Sequence, residues 1–462
     1  MSLRRWRRAL PLLAVSCALM THGSLRAEVA GTFPEDYLPG LSAILGTALK
    51  QSPQIIAKQI ELEQVAARVY GADSRRLPGV SGNLSFASNE TAISSNNNTR
   101  TRDNGVFYNF GVGQSLYHWG ALKNESDKAR IGVLIAQKSY NEAMRALAVT
   151  LRRTYLELIV KKSRLHQMRY ARDLLVAEMA LAEEKKKNGT LAEADIAGRK
   201  LNLAESTFQI KKDEIELAAA RRSFARLAGI SDLAEGAIPN EVPKPRHDAA
   251  AAAALLATIV RDGGRQTFQA QVSELRVRES ELTYRTARVG LLPKFNASIG
   301  YSLENTTNAS ATSVSQQGVA RQTIAVAANW NIFDGFATKG AKLEALATKR
   351  AFERQLQMVS NAALDAAQSL AQQLELDAEF MEMSELRMGL ASAQVGKYKE
   401  ELAIGNIPQT AVDSVISSLK LSEFNAANAR ATFLAHWSEF ASLVGADPVL
   451  NKIPARHDRE KR

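Results

Sequence analysis

The chain has 462 residues, enough for two or three ordinary domains or one long repeated architecture. Apolar residues make up 45% and charged residues 23%, which excludes wholesale disorder, while an aromatic share of only 6% suits long, closely packed helices better than a bulky-cored sandwich. The net charge is +11, but Arg4, Arg5, Arg7, Arg8 and Arg26 fall in the first 27 residues, which hold no acid; the +6 that remains is too mild to argue for a nucleic-acid partner. A single cysteine excludes a disulfide framework and a Cys-based zinc site, and six scattered histidines offer no ligand spacing.

The N-terminus reads as an export signal. Four arginines precede the apolar run Ala9 to Met20, and Leu25-Arg26-Ala27 supplies a small residue for cleavage, which is predicted after Ala27. The run is shorter than the ~20 apolar residues of a stable anchor. A competing reading takes Ala14-Val15-Ser16-Cys17 as a lipoprotein site with Cys17 acylated.

Proline placement sets the layout of the rest. No proline lies within 79–238 or 294–407, so helices there can run uninterrupted. A helical segment of about 41–76 ends before Leu77-Pro78, and another of about 250–289 before Leu292-Pro293. After each, the apolar period changes to two. Phe295, Ala297, Ile299, Tyr301 and Leu303 alternate with Asn296, Ser298, Gly300 and Ser302, which marks a strand with two unlike faces. Val80 to Phe86 repeats this more weakly, and returning strands are predicted over Val106 to Tyr117 and Gln322 to Phe333. The polar stretches Ser88 to Asn104 and Asn305 to Gln317 are predicted to be long solvent loops.

Very long helices follow, about 120–187 and 336–402. Leu151, Leu158 and Leu165 recur at seven-residue steps, with Met168, Leu175 and Ala182 in alternate layers, as in a coiled coil. Each helix ends at a glycine, Gly189 or Gly405, and a second helix returns over about 192–228 or 408–444. The order of elements repeats at an offset of 215 to 216 residues: Leu77-Pro78 falls on Leu292-Pro293, Leu116-Tyr117 on Ile332-Phe333, Gly189 on Gly405, Phe224 on Phe440 and Gly229 on Gly445. The predicted organisation is a signal (1–27), a first repeat (28–229), a Pro-rich linker (230–248), a second repeat (249–445) and a charged tail (446–462) that looks disordered from Arg456 on.

Four strands of about ten residues are long enough to cross a bilayer when tilted. Four cannot close, and an open sheet edge in hydrocarbon leaves backbone groups unpaired at several kcal/mol each. The pattern therefore demands oligomers, with the long helices continuing the tube behind the membrane. This duplicated order of helix, two strands, long helix, turn and helix, with Ile332-Phe333-Asp334-Gly335 at a strand exit, resembles the TolC family of outer-membrane efflux and secretion channels over nearly the whole mature chain. The resemblance implies a mainly α fold with membrane β: four strands contributed to a trimeric, 12-stranded barrel in outer-membrane lipid, continued by a helical coiled-coil barrel in the periplasm. It also implies a periplasmic adaptor and an inner-membrane pump or ABC exporter as partners, with transport passive in the channel itself.

Further expectations attach to particular residues through that resemblance. The tips Gly189, Thr190, Leu191, Gly405, Asn406 and Ile407 would receive the adaptor. Asp195, six residues past Gly189, and Asp413, eight past Gly405, would ring a periplasmic constriction as a cation filter, or serve only as acids near a helix N-terminus. Tyr117, Trp119, Trp330 and Phe333 would sit at the lipid boundary, or pack the strand–helix joint. His118, His166 and His436 read as structural. Neither a Gly-rich phosphate loop in strand–helix context, nor a nucleophile–base pair, nor a metal cluster is found, so no enzyme activity, metal or cofactor is expected. The alternative is a periplasmic coiled-coil scaffold or adaptor without a barrel, and within the channel reading the cargo stays open between small toxic compounds, metals and an unfolded protein.

Overall fold

The structure is a computed structural model that describes residues 33–93, 99–309 and 313–452. The predicted signal, the lipoprotein alternative at Cys17 and the end of the tail lie outside the described residues. In chain order the elements are α1 (Pro34–Tyr37), α2 (Pro39–Gln51), α3 (Pro53–Ser74), β1 (Gly79–Ile93), β2 (Thr99–Tyr117), α4 (Ala121–Lys187), α5 (Glu193–Ala228), α6 (Ala249–Arg261), α7 (Phe268–Arg288), β3 (Lys294–Ala309), β4 (Val314–Asn329), α8 (Ala337–Ala403) and α9 (Gln409–Val444).

Both long helices have 67 residues and both return helices 36. At ~1.5 Å per residue the long ones run about 100 Å. Nearest the sheet, α3 packs on α4, α4 on α7 and α7 on α8; beyond the equator, α5 packs on α4, α4 on α9 and α9 on α8. Above and below the equator the molecule is thus one layer of four helices, with α8 at one edge and α3 or α5 at the other, while at the equator α2 and α6 pack against this layer. The larger core lies at the equator around Leu41, Leu45, Leu147, Leu151, Leu158, Ile159, Leu217 and Phe224, and a smaller one gathers Phe33, Leu374, Phe433, Trp437 and Phe440.

Several expectations need correction. The helices expected over 41–76 and 250–289 are each broken. In the first copy Ser52 is extended and Pro53 begins α3, where its missing N–H costs nothing. In the second, Gly263 and Gly264 turn left-handed and Thr267 caps α7. The stretches expected to be loops, 88–104 and 305–317, are mostly strand: β1 pairs with β2 out to Ile93↔Thr99, and β3 with β4 out to Ala309↔Val314. Polar residues there satisfy one another across the ladder, as Ser88 Oγ does by donating to Asn104 Oδ1 at 2.6 Å. The strand expected over 322–333 ends at Asn329, because the chain turns into α8 through Gly335 and Phe336, both at positive φ.

Candidate functional site

The four strands form one antiparallel sheet in the order β1-β2-β3-β4. Directly opposed residues share a face, so the register sorts the side chains. Val80, Val112, Ile299 and Ile324 form one row across the sheet; Leu84, Tyr108 and Leu303 form another. Phe86, Phe110, Tyr301 and Val326 lie on this face too. The opposite face is mostly small and polar: it carries Ser81, Asn83 and Ser85, then Gly111, Asn109 and the one large ring Phe107, then Ser298, Gly300 and Ser302, then Thr323 and Ala325. Within the single chain the apolar face is uncovered, with Val80, Leu84, Phe86, Phe110, Ile299, Ile324 and Val326 between 55% and 83% exposed. From Phe295 to Leu303 the strand runs about 27 Å at ~3.4 Å per residue, which at a barrel tilt of about 40° spans roughly 20 Å, most of the height of a lipid-facing belt. Among the described residues, neither lateral edge, β1 or β4, pairs with a further strand.

The sheet meets the helices at two joints built alike. At the first, Trp119 (φ 53°) and Gly120 (φ 83°) are consecutive left-handed residues; at the second they are Gly335 (φ 65°) and Phe336 (φ 70°). The glycine has changed places, so each joint keeps one aromatic residue in a conformation that costs about 1–2 kcal/mol. The aromatics at these joints are anchored. Trp119 Nε1 donates to Pro293 O at 2.8 Å and Trp330 Nε1 to Leu291 O at 3.0 Å. Tyr117 stacks edge-on against Trp119 at 5.0 Å, and Phe333 against Phe336 at 5.4 Å. Of the four expected boundary residues only Tyr117 lies in a strand; the other three lie just past strand ends, with part of each ring exposed.

At the second joint Asp334 Oδ2 accepts from the Thr338 backbone N–H at 2.8 Å and from its hydroxyl at 2.5 Å. The Thr338 hydroxyl first, and its N–H second, hold the Asp334 carboxyl below the usual carboxylate range. The first joint has His118 at the matching place, with Nε2 3.0 Å from Asn296 Oδ1.

At the far end the tips are two five-residue turns, 188–192 and 404–408. Gly189 N donates to Lys186 O and Thr190 N to Lys185 O, at 2.9 and 3.0 Å; Gly405 N donates to Leu402 O and Asn406 N to Glu401 O, at 3.0 and 2.9 Å. Both are Schellman caps closed by a left-handed glycine. Gly189, Thr190, Gly405 and Asn406 are exposed; Leu191 and Ile407 are half-buried.

The two aspartates differ in setting. Asp195 is exposed in the first turn of α5, where the helix dipole favours an acid. Asp413 lies past the first turn of α9, half-buried, and accepts from Gln409 Nε2 at 2.8 Å. The two turns have equal length, so Asp195 and Asp413 are not counterparts in the two copies.

One buried polar cluster escaped the sequence reading, and His436, read as structural, makes a part-buried ion pair. Arg152 on α4 is fully buried: Nε donates to Glu35 Oε2 at 2.8 Å, and Nη1 and Nη2 to Asp447 at 2.5 and 2.9 Å, with the Phe33 ring 4.7 Å from the guanidinium. Burial alone would lower the Arg152 pKa; the bonds and charge of Asp447, then Glu35, outweigh it and raise it. His436 Nδ1 lies 2.5 Å from Asp377 Oδ2 and ties α9 to α8. Separations of 117 and 295 residues left the Arg152 cluster no local signal.

Comparison with known proteins agrees with this geometry. Residues 44–229 match the family described as outer membrane efflux protein. No curated protein sequence matches the chain. Among solved structures, the Campylobacter jejuni CmeC outer membrane channel shares 14% identity at a TM-score of 0.67, over 92% of this chain and 91% of that one. The outer membrane protein VceC of Vibrio cholerae shares 14% at 0.64, over 88% and 96%. The open-state MtrE outer membrane channel of Neisseria gonorrhoeae shares 13% at 0.61, over 88% and 89%. By the family match over its first half and by fold over nearly its whole length, the chain is similar to the TolC-like outer membrane efflux proteins.

Proposed function

We propose that the protein is the passive exit duct of an outer membrane. Three copies contribute four strands each to a closed 12-stranded barrel, and their helices form a barrel through the periplasm. An adaptor docks at the tips and an inner-membrane pump or ABC exporter supplies the energy. The observation that carries the reading is the sheet: one uncovered apolar face, one small polar face and two open edges. In lipid the apolar face is favourable, while each edge is costly until it meets another edge. Pairing β4 of one copy with β1 of the next removes every edge only when the ring closes. Twelve strands leave room for a wet lumen, whereas eight would be filled by side chains. The joint aromatics, with their amphipathic rings, sit at the inner lipid boundary. A coiled-coil scaffold without a barrel has no use for a registered apolar belt.

The reading assigns no covalent chemistry to the chain. The mature protein begins at Glu28, and the first and second repeats, 28–229 and 249–445, act as paired halves of each stave. Asp413, three copies of it around the axis, forms the carboxylate filter near the tips, with Asp195 a dipole-matched acid beside it. If so, Asp413→Ala lowers cation preference in planar bilayers and Asp195→Ala leaves it unchanged. Fractionation tests the whole: the protein is expected in the outer membrane as heat-modifiable, dodecyl sulfate-resistant oligomers, and a purely soluble periplasmic protein would refute it.

A further inference from the structure

The register sorts the polar face of the sheet into rows, and two of them differ from the rest. The rows of Asn296, Ser298 and Gly300 hold only Ser, Gly, Asn, Thr and Ala. The next row outward sets Arg321 opposite Ser302, and the row after it sets Glu304 between Phe107 and Val319. Neither charge is taken within the chain. Glu304 and Arg321 are exposed and form no ion pair among the described residues, although diagonal neighbours on adjacent strands stand only about 7–8 Å apart.

The row of Glu304 is also where this face gains apolar surface. The Phe107 ring lies over Gly105, where an added Cβ would stand 3.0 Å from its Cε2 and Cζ. A glycine inside a strand weakens it and marks a place of close approach. Here it lets the ring lie along the wall, with one face on the strand and the other toward the bore. Val319, on the far side of Glu304, is 37% exposed. An acid between an aromatic ring and a branched aliphatic offers an aromatic cation three things at once. The carboxylate takes its charge, the ring face attracts it further, and both neighbours cover its apolar body. An aromatic anion finds no such place, because Arg321 has Ser302 and then Asn109 beside it in its row.

The position fits an exit. Leu303, on the lipid side, ends the strict alternation, so the row stands at the outer margin of the belt. From Lys294 to Glu304 the strand climbs about 26 Å at a tilt of about 40°. A ring of twelve strands spaced ~4.8 Å apart measures about 24 Å across at that tilt. Three such patches therefore act as wall sites and leave the bore open.

We infer that Phe107, Glu304 and Val319 form a binding site for aromatic organic cations on the inner wall of the barrel's outer mouth, one per copy, with Arg321 opposing it from the row below. The inference rests on the duct reading and names a class of cargo, which would meet this site last before release.

Ethidium is the probe. Nuclease-treated oligomers of the full mature chain in detergent are titrated with it, and bound dye is read by fluorescence anisotropy. The unaltered protein should bind one dye per chain at this site. Glu304→Gln should weaken that binding about five-fold and Phe107→Leu about three-fold, while Arg321→Gln should tighten it. Tetraethylammonium, with the same charge and no ring, should displace the dye only at far higher concentration. Binding that neither Glu304→Gln nor Phe107→Leu weakens would overturn the site. So would displacement by tetraethylammonium as readily as by unlabelled aromatic cation, which would show a counter-ion effect only. In both cases oligomers that still conduct in planar bilayers leave the duct reading standing. A water-soluble monomer, evident before any dye is added, would remove the duct reading and the site with it.

Discussion

The two copies agree in their arms and disagree at the equator. The long helices, return helices and tip turns match residue for residue in length. The equatorial pieces do not: α2 and α3 meet at a single extended residue, α6 and α7 across a six-residue turn with two left-handed glycines. In the proposed tube, arms that end at one height tolerate no insertion, whereas the equatorial joints can differ in length. The cores divide unequally too. Arg152, with its two carboxylates, is buried in the first copy; its counterpart Gln368 in the second is exposed. Gly229 ends α5 so close to the chain that an added Cβ would stand 2.5 Å from Gln51 O, while its counterpart Gly445 meets nothing within 4 Å.

Six substitutions sharpen that contrast. At the tips, where the copies are alike, a bulky replacement of Leu191 or of Ile407 should abolish transport while oligomers still assemble, as growth under efflux-dependent selection would report; unchanged export from either would break the assumed equivalence. At the equator the copies should diverge. Arg152→Met leaves Glu35 and Asp447 without their cation and should cost about 3–5 kcal/mol, against no more than about 0.5 for Gln368→Met, read as shifts in thermal or denaturant midpoint. Gly445→Ala should cost about 1–2 kcal/mol for its left-handed conformation alone. Gly229→Ala should cost more, since the Cβ meets backbone that cannot yield.

The smallest effect is at the joints. The Asp334 carboxyl is held below its ordinary pKa, so its stabilisation is complete above the unfolded value and is lost as pH falls through the folded one. Acidification should therefore loosen the second joint. Asp334→Asn should remove that part of the pH dependence, and a titration of hydrogen exchange at Ala337 and Thr338 would register it.

The sequence carried the periodic elements and little that depends on distant residues. The ends of α4, α5, α8 and α9 were legible to within about one residue, because an unbroken proline-free run stops at a cap glycine. Sheet faces were legible where alternation is strict, as from Phe295 to Leu303. The polar composition of Ser88 to Asn104 suggested a loop, but polar residues mark contact with water and not the loss of pairing. Pro53 marks the break inside the helix expected over 41–76. The site residues at the tips and at Asp413 rest on resemblance, and the geometry supplies their surroundings without their roles. The Arg152 cluster was invisible, because three charged residues on three elements share no spacing.

The central claim is that these strands are staves of a shared cylinder. Native mass measurement of the detergent-extracted mature protein, followed by planar-bilayer recording of the same preparation, tests it most directly. The account predicts a three-copy assembly that conducts ions. A stable single chain that needs no detergent and opens no conductance would contradict it.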